Sequence, residues 1–119
     1  MNELTKTIFL DIDGCIFRHK GNISTQFNDA ELLSGVLEKF VEWDTAGHKI
    51  ILVTGRKESM RRLTEKQLLD AKLFYDQLIM GVNRGERVII NDKKPNNDSA
   101  KVASAIEIIR NEGLTNIKI

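Results

Sequence analysis

The chain has little of several residue types, and each scarcity excludes a class of protein. Its 119 residues include one cysteine and one proline, and its formal net charge is +1. A single thiol cannot form an internal disulfide and suits a reducing compartment, so we expect a cytoplasmic protein. No apolar run approaches the roughly 20 residues that span a bilayer, and no apolar signal region is present, so no membrane partner is expected. Because the net charge is close to zero, the protein as a whole has no electrostatic attraction to nucleic acid.

The remaining composition is typical of one soluble globular domain. Hydrophobic residues make up 41% of the chain and charged residues 29%, which are ordinary shares. A chain of this length can bury a single hydrophobic core. Because no repeat, low-complexity stretch or linker interrupts it, we predict one domain over residues 1–119.

Apolar segments alternate with helical patterns along the chain. Strands are predicted at residues 7–10, 49–53, 75–80 and 87–90, with an edge strand at 116–119. Helices are predicted from Asp29 to near Gly47, over residues 58–71, and from Asp98 or Ser99 to about Asn111. Residues 14–28 are predicted to form a loop. This alternation favours an α/β fold with right-handed crossovers and a mainly parallel sheet.

The ends of three predicted strands carry residues suited to a functional site. They are Asp11 and Asp13, then Thr54, Gly55 and Arg56, then Asn91 and Asp92. In parallel sheets, sites form just beyond the carboxyl ends of the strands. We therefore expect these three strand ends to meet.

Asp11 and Asp13 are the most informative pair in the sequence. Residues two apart in a strand point to the same face, so the two carboxylates converge where the strand ends. Two carboxylates so close repel each other unless a cation or a shared proton lies between them. Mg²⁺ prefers oxygen ligands and binds one or two carboxylates together with substrate phosphate. The pair therefore indicates phosphate chemistry.

Two other readings of this segment fail on the residues. A calcium-binding EF-hand loop would need an oxygen ligand at Cys15, glycine at Ile16 and glutamate at Asn22. A cysteine-phosphatase loop would need an arginine six residues after Cys15, where the chain has Gly21. We interpret Cys15 as a small packed side chain.

Together these motifs resemble those of the haloacid dehalogenase-like (HAD) phosphohydrolases, over most of the chain and in the expected order. The DIDG segment at residues 11–14 resembles the first motif, Thr54-Gly55-Arg56 the second, and IIND at residues 89–92 the fourth. The stretches LVTGRKES, YDQLIMG and VIINDKKP are similar to small phosphatases of this superfamily, including polynucleotide 3′-phosphatase domains. The resemblance implies a three-layer, Rossmann-like (HAD-like) fold with helices on both faces of the sheet and no cap domain.

The resemblance also implies a Mg²⁺-dependent mechanism. Asp11 would attack phosphorus and carry an aspartyl-phosphate, and Asp13 would protonate the leaving oxygen and then activate water. The metal ligands would be Asp11, the backbone carbonyl of Asp13, and Asp92. Thr54 and the Gly55 amide would hold phosphoryl oxygens.

The lysine of the third motif has no clear counterpart, because residues 75–85 contain no lysine. Lys94 is the first candidate for this catalytic cation, and Lys93, Arg84 and Arg87 are the alternatives. Two further departures concern Cys15, which stands where the family usually has Thr or Ser, and Asn91, which replaces an acid.

The loops expected around the site are rich in cations: Arg18, His19, Lys20, Arg56, Lys57, Arg84, Lys93 and Lys94. A basic rim around an acidic site suits a phosphorylated substrate. We expect Gly14, Gly55, Arg56, Lys93 and Arg84 to contact that substrate. Relatives without a cap act on macromolecules or use a neighbouring subunit as a lid. A homo-oligomer in which a second subunit covers the site is therefore one alternative.

We predict a phosphatase for a small phosphorylated metabolite, such as a sugar phosphate or nucleotide. A phosphatase of nucleic-acid 3′ ends is an alternative, although no aromatic track for stacking bases is present. A non-catalytic domain that binds a phosphorylated ligand is another, motivated by Asn91 and the unassigned lysine. A receiver-like phosphoacceptor is disfavoured because the DxDG pair closes the first strand.

Overall fold

A computed structural model describes residues 4–21, 30–95 and 101–119 of the chain. Its regular elements are β1 (Thr7–Asp11), α1 (Val36–Thr45), β2 (Lys49–Val53), α2 (Arg61–Asp70) and β3 (Gln77–Ile79). A 3₁₀ turn, Glu58–Met60, leads into α2. Within these described ranges, no helix is long and apolar enough to cross a membrane.

The three strands form one parallel sheet in the order β1-β2-β3. The register aligns Asp11 with Val53, and Val53 with Ile79. The carboxyl ends of the strands therefore lie side by side at one edge of the sheet. The predicted α/β class and parallel pairing are confirmed for these strands.

Helices α1 and α2 lie on the same face of the sheet. Both connections step across the sheet in the same direction, and right-handed crossovers then place both helices on one side. Their buried side chains pack on the alternate strand residues that face them, and the buried members are Val36, Phe40, Trp43, Leu68, Ile50, Leu52 and Leu78. On the opposite face, Phe9 is 55% exposed and Ile79 41% exposed. The described helices thus make one layer, and a three-layer arrangement stays a prediction.

Residues 113–115 pack across the start of α1. A Cβ atom on Gly35 would overlap the backbone of Thr115, and one on Gly113 would overlap the backbone of Ser34. Leu114 is 1% exposed, and its N–H donates to the Ser34 carbonyl over 2.8 Å. Helix α1 begins at Val36, after Gly35 with φ at 77°, because residues 113–115 pack against this point. The predicted start at Asp29 lies outside the described residues, and the prediction of a helix over residues 30–35 was wrong.

Three predicted elements of the second half are absent from the described residues. Residues 87–90 form no strand, and Val88, Ile89 and Ile90 are 71%, 57% and 92% exposed. Residues 101–119 contain neither the predicted helix nor the edge strand, and residues 96–100 lie outside the description. These predictions were wrong for the described part, because an apolar or periodic segment forms a stable element only where it packs against a partner. Strand β3 is also shorter than the predicted 75–80.

Candidate active site

The segment after β1 is a tight turn anchored in the core. The N–H groups of Ile16 and Phe17 both donate to the Ile12 carbonyl, over 2.8 and 3.2 Å. Ile12, Ile16 and Phe17 are at most 1% exposed. Because the apolar side chains of this turn are buried, Asp11 and Asp13 are held at the sheet edge on a rigid support.

Gly14 shapes this turn. Its φ is 89°, in the left-handed region that glycine tolerates best. Its N–H donates to the Phe17 carbonyl over 2.7 Å, and its carbonyl accepts from the Asn111 N–H over 2.9 Å. Gly14 was expected to contact substrate, but both of its backbone polar groups have partners within the chain.

Asp11 is a partly buried carboxylate. Its Oδ1 accepts a hydrogen bond from the Ile12 N–H over 2.9 Å. Burial raises the pKa of Asp11, and the nearby Asp13 charge acts in the same direction, while the Ile12 N–H, Arg87 and His19 oppose the shift. Among these neighbouring charges, Arg87 has the largest effect on Asp11. Asp11 is therefore a site where an additional cation would stabilise the charged form.

Asp13 has a very different environment. Arg56 binds its carboxylate through two parallel hydrogen bonds, Nε to Oδ2 at 3.0 Å and Nη2 to Oδ1 at 2.8 Å. The Asp13 side chain is 20% exposed and that of Arg56 is fully buried. A bidentate guanidinium–carboxylate pair fixes the plane as well as the position of the carboxylate.

Arg56 is itself held by helix α2. Its Nη1 donates to Thr64 Oγ1 over 3.0 Å and to Gln67 Oε1 over 2.6 Å. The Arg56 carbonyl accepts from the Gly81 N–H over 2.8 Å. Arg56 was expected to bind substrate, but its guanidinium is enclosed by partners from the loop after β1 and from α2.

Thr64 and Gln67 were missed as site residues. Both are buried on the face of α2 that packs into the protein. The signal in the sequence is two polar residues on the inward face of an amphipathic helix. Buried polar groups normally have hydrogen-bond partners, so such residues point to a charged or polar partner that faces the helix.

Thr54 organises the turn after β2. It is 1% exposed, and its Oγ1 accepts a hydrogen bond from the Arg56 N–H over 3.1 Å. Its backbone N–H donates to the Ile79 carbonyl over 2.9 Å, which extends the pairing of β2 with β3. Gly55, in contrast, is exposed beside this turn. Of this predicted phosphate-binding pair, Gly55 is the residue that solvent reaches.

Four predicted site residues flank the predicted fourth strand and lie on an exposed segment without regular structure. They are Arg84, Asp92, Lys93 and Lys94. Across the described part of the chain, no group of three or more His, Cys, Asp or Glu side chains could hold a metal ion. Asp92 is therefore not assembled with Asp11 and Asp13.

The described residues fit a magnesium ion only in part. Asp11 and the Asp13 backbone carbonyl lie at the sheet edge, but the third predicted ligand is not beside them. Both oxygens of the Asp13 carboxylate are bound by Arg56. The Asp11 carboxylate and the Asp13 carbonyl are thus the donors present, which is the lower end of what proteins supply to an ion that also binds substrate phosphate and waters.

The C-terminal segment contributes to the site edge. The side chain of Arg110 packs over Gly14, where an added Cβ would lie 3.2 Å from the Arg110 Cγ. Asn111 Oδ1 accepts from the His19 N–H over 2.7 Å, and Asn111 Nδ2 donates to the His19 carbonyl over 3.2 Å. Sequence reasoning placed Asn111 at a helix end and missed this role, because no local pattern links it to His19.

The predicted basic rim is partly neutralised. Arg18 forms an ion pair with Glu31 at 2.7 Å, and Lys20 lies 3.9 Å from the same carboxylate. Arg56 is buried against Asp13. The cationic rim is therefore smaller than the sequence suggests.

Cys15 lies beside the two aspartates. Burial raises the pKa of its thiol to about 11, and the charges of Asp11 and Asp13 act in the same direction. The thiol is therefore protonated near neutral pH, which agrees with a packed side chain rather than a nucleophile.

Comparison of the chain with family models, with curated proteins and with solved structures gave no match. The resemblance to the HAD phosphohydrolases therefore rests on the motifs of the chain itself.

Proposed function

We propose that the protein is a Mg²⁺-dependent phosphomonoester hydrolase of the HAD type, acting on a small phosphorylated metabolite such as a sugar phosphate or nucleotide. The observation that carries the proposal is the contrast between two carboxylates on one strand end. Arg56 binds both oxygens of Asp13, whereas Asp11 accepts a hydrogen bond from the Ile12 backbone. Unequal environments are what two carboxylates with different chemical roles require.

Asp11 is the proposed nucleophile. Its carboxylate attacks phosphorus, and the bond from phosphorus to the leaving oxygen breaks as the aspartyl-phosphate forms. Asp13 gives a proton to the leaving oxygen and later removes one from the water that attacks the aspartyl-phosphate. When bound, magnesium would supply positive charge that offsets the repulsion between Asp11 and the phosphate.

Arg87 is the proposed cation for the role that the lysine of the third motif fills in the family. Among the charges that act on Asp11, its effect is the largest. It is one of the four candidates from the sequence, beside Lys94, Lys93 and Arg84, and its charge lowers the pKa of Asp11. A cation near the nucleophile would also stabilise charge that develops on the transferring phosphoryl group.

Hydrolysis of p-nitrophenyl phosphate with and without Mg²⁺ tests the proposal. We expect metal-dependent activity in the wild type and its loss in Asp11→Asn, since the amide is a poor nucleophile. Asp44→Asn is the matched control, because Asp44 is exposed on α1 and belongs to no part of the site. Equal metal-dependent activity in wild type and Asp11→Asn would contradict the role of Asp11. If neither protein shows metal-dependent activity, the proposed function is contradicted.

A panel of substrates tests the substrate class. Sugar phosphates and nucleoside monophosphates should be hydrolysed faster than a 3′-phosphorylated oligonucleotide. The opposite order would favour a phosphatase of nucleic-acid ends, for which an open site is suited.

A second candidate is a non-catalytic domain that binds a phosphorylated ligand. It is favoured by one observation, the absence of a three-ligand metal cluster from the described ranges. Calorimetry with inorganic phosphate, together with the ester assay, distinguishes the two functions. This candidate binds phosphate but shows no metal-dependent turnover of any ester.

A further inference from the structure

We propose that Arg56 is a positioning residue for Asp13, and that Thr64 and Gln67 of α2 hold Arg56 in place. This inference deepens the proposed function and rests on it. Arg56 would act through Asp13 and would not touch the substrate. Helix α2 would thereby determine how well Asp13 transfers protons.

Arg56 is a charged side chain without access to solvent. Its side chain is fully buried, and a buried charge is stable only when it is paired and hydrogen-bonded. The partner charge is Asp13, which retains 20% exposure at the sheet edge. Arg56 therefore lies behind Asp13, and the carboxylate lies between the guanidinium and solvent.

The pair of Arg56 and Asp13 is bidentate. Two hydrogen bonds from one planar guanidinium, of 3.0 and 2.8 Å, leave the carboxylate little freedom to rotate. Proton transfer needs the acid or base within hydrogen-bond reach of the reacting atom, so a fixed carboxylate is more effective than a mobile one. A lysine would supply the charge without the planar fork.

Two hydrogen bonds to helix α2 hold the guanidinium of Arg56. Thr64 Oγ1 and Gln67 Oε1 both accept from Nη1, on the side of the guanidinium away from the Nε–H that binds Asp13. Thr64 is fully buried and Gln67 is 8% exposed. Their positions on one helix fix the guanidinium plane, which in turn fixes Asp13.

Comparing two leaving groups separates positioning from a merely structural role. An alkyl phosphate needs a proton on its leaving oxygen, whereas p-nitrophenolate leaves without one. In Arg56→Lys, kcat/KM for an alkyl phosphate should fall by about 100-fold or more, the lower end of what a general acid contributes. The value for p-nitrophenyl phosphate should fall by less than about tenfold on the same reasoning. Equal losses for both substrates would overturn the inference.

Arg62→Lys is the matched control for the substitution itself. Arg62 is on the exposed side of α2, outside the network, and its replacement should leave both rates as they are in wild type. Circular dichroism and thermal melting of each variant verify that it is folded under the assay conditions.

Thr64→Val combined with Gln67→Met provides the decisive measurement if Arg56→Lys does not fold. This double variant keeps Arg56 and Asp13 but removes both acceptors from Nη1. Its kcat/KM should fall more for the alkyl phosphate than for p-nitrophenyl phosphate, and equal losses on both substrates would again overturn the inference.

The failure of this inference is distinguishable from failure of the proposed function. A wild type without metal-dependent phosphatase activity overturns both. A wild type that is active, but whose variants lose both substrates equally, overturns only the positioning role of Arg56.

Discussion

The side-chain amide of Asn111 binds both backbone polar groups of His19, which lies 92 residues earlier in the chain. The carbonyl oxygen of the amide accepts from the His19 N–H, and its nitrogen donates to the His19 carbonyl. The Asn111 backbone is also left-handed, with φ at 69°. One residue thus ties the loop after the two aspartates to the C-terminal segment.

Asn111→Ala should lower the free energy of unfolding by about 2 kcal/mol, from two lost hydrogen bonds and a backbone conformation that alanine adopts reluctantly. Urea unfolding measures the change, with exposed Asn83→Ala as the control. A midpoint equal to that of wild type would show that the two hydrogen bonds contribute nothing.

Gly35→Ala should destabilise the protein more than Gly81→Ala, although both glycines have φ at 77°. An added Cβ on Gly35 meets the Thr115 backbone, whereas on Gly81 it meets nothing within 4 Å. Gly81→Ala should therefore lower the free energy of unfolding by only about 1 kcal/mol, the cost of a left-handed backbone conformation for alanine. Gly35→Ala should lower it by at least about 2 kcal/mol, because overpacking adds to that cost.

Gly85→Ala is the control for both glycine variants, since nothing lies within 4 Å of its added Cβ and its φ is not positive. Thermal or urea unfolding of the three variants gives the ranking. Equal losses in Gly35→Ala and Gly81→Ala would mean that residues 113–115 do not pack on α1 in solution.

Asp11→Asn should stabilise the folded protein near neutral pH. Because burial raises the pKa of Asp11 in the folded state, the charged carboxylate opposes folding above that raised pKa. The stability associated with protonated Asp11 is fully present below its ordinary value of 3.8 and is lost as pH rises through the folded-state pKa. The gain from the amide should therefore disappear in acid.

Thermal melting of wild type and Asp11→Asn at about pH 7 and about pH 3 measures this linkage. Asp44→Asn serves as the comparison at an exposed position. A variant less stable than wild type at neutral pH would mean that nearby cations stabilise the charged Asp11 carboxylate by more than burial destabilises it.

Cys15 should react slowly with iodoacetamide in the folded protein near neutral pH. The thiolate is the reactive form, and burial raises the pKa of this thiol to about 11. Mass spectrometry should show alkylation that speeds up steeply toward that pH, and that is fast at about pH 8 once the chain is unfolded in urea. Rapid alkylation of the native protein at neutral pH would contradict the partly buried, protonated thiol.

Local patterns predicted the elements whose formation depends on local properties. The continuous apolar run of β2 was predicted with its exact bounds, and β1 to within one residue. The helix predicted over residues 58–71 corresponds to the 3₁₀ turn and α2. Residues 87–90 have a similar apolar pattern but form no strand, because a strand also needs an edge to pair with.

By itself, the sequence determined that an apolar strand would run into Asp11, with Asp13 two residues further on, since the apolar run and the acidic pair are local features of the chain. Only the tertiary structure decided their different surroundings. The bond from Arg56 to Asp13 spans 43 residues and depends on the pairing of β1 with β2 and on the packing of α2. No local pattern specifies which buried cation meets which carboxylate, because that choice depends on how separate elements pack together.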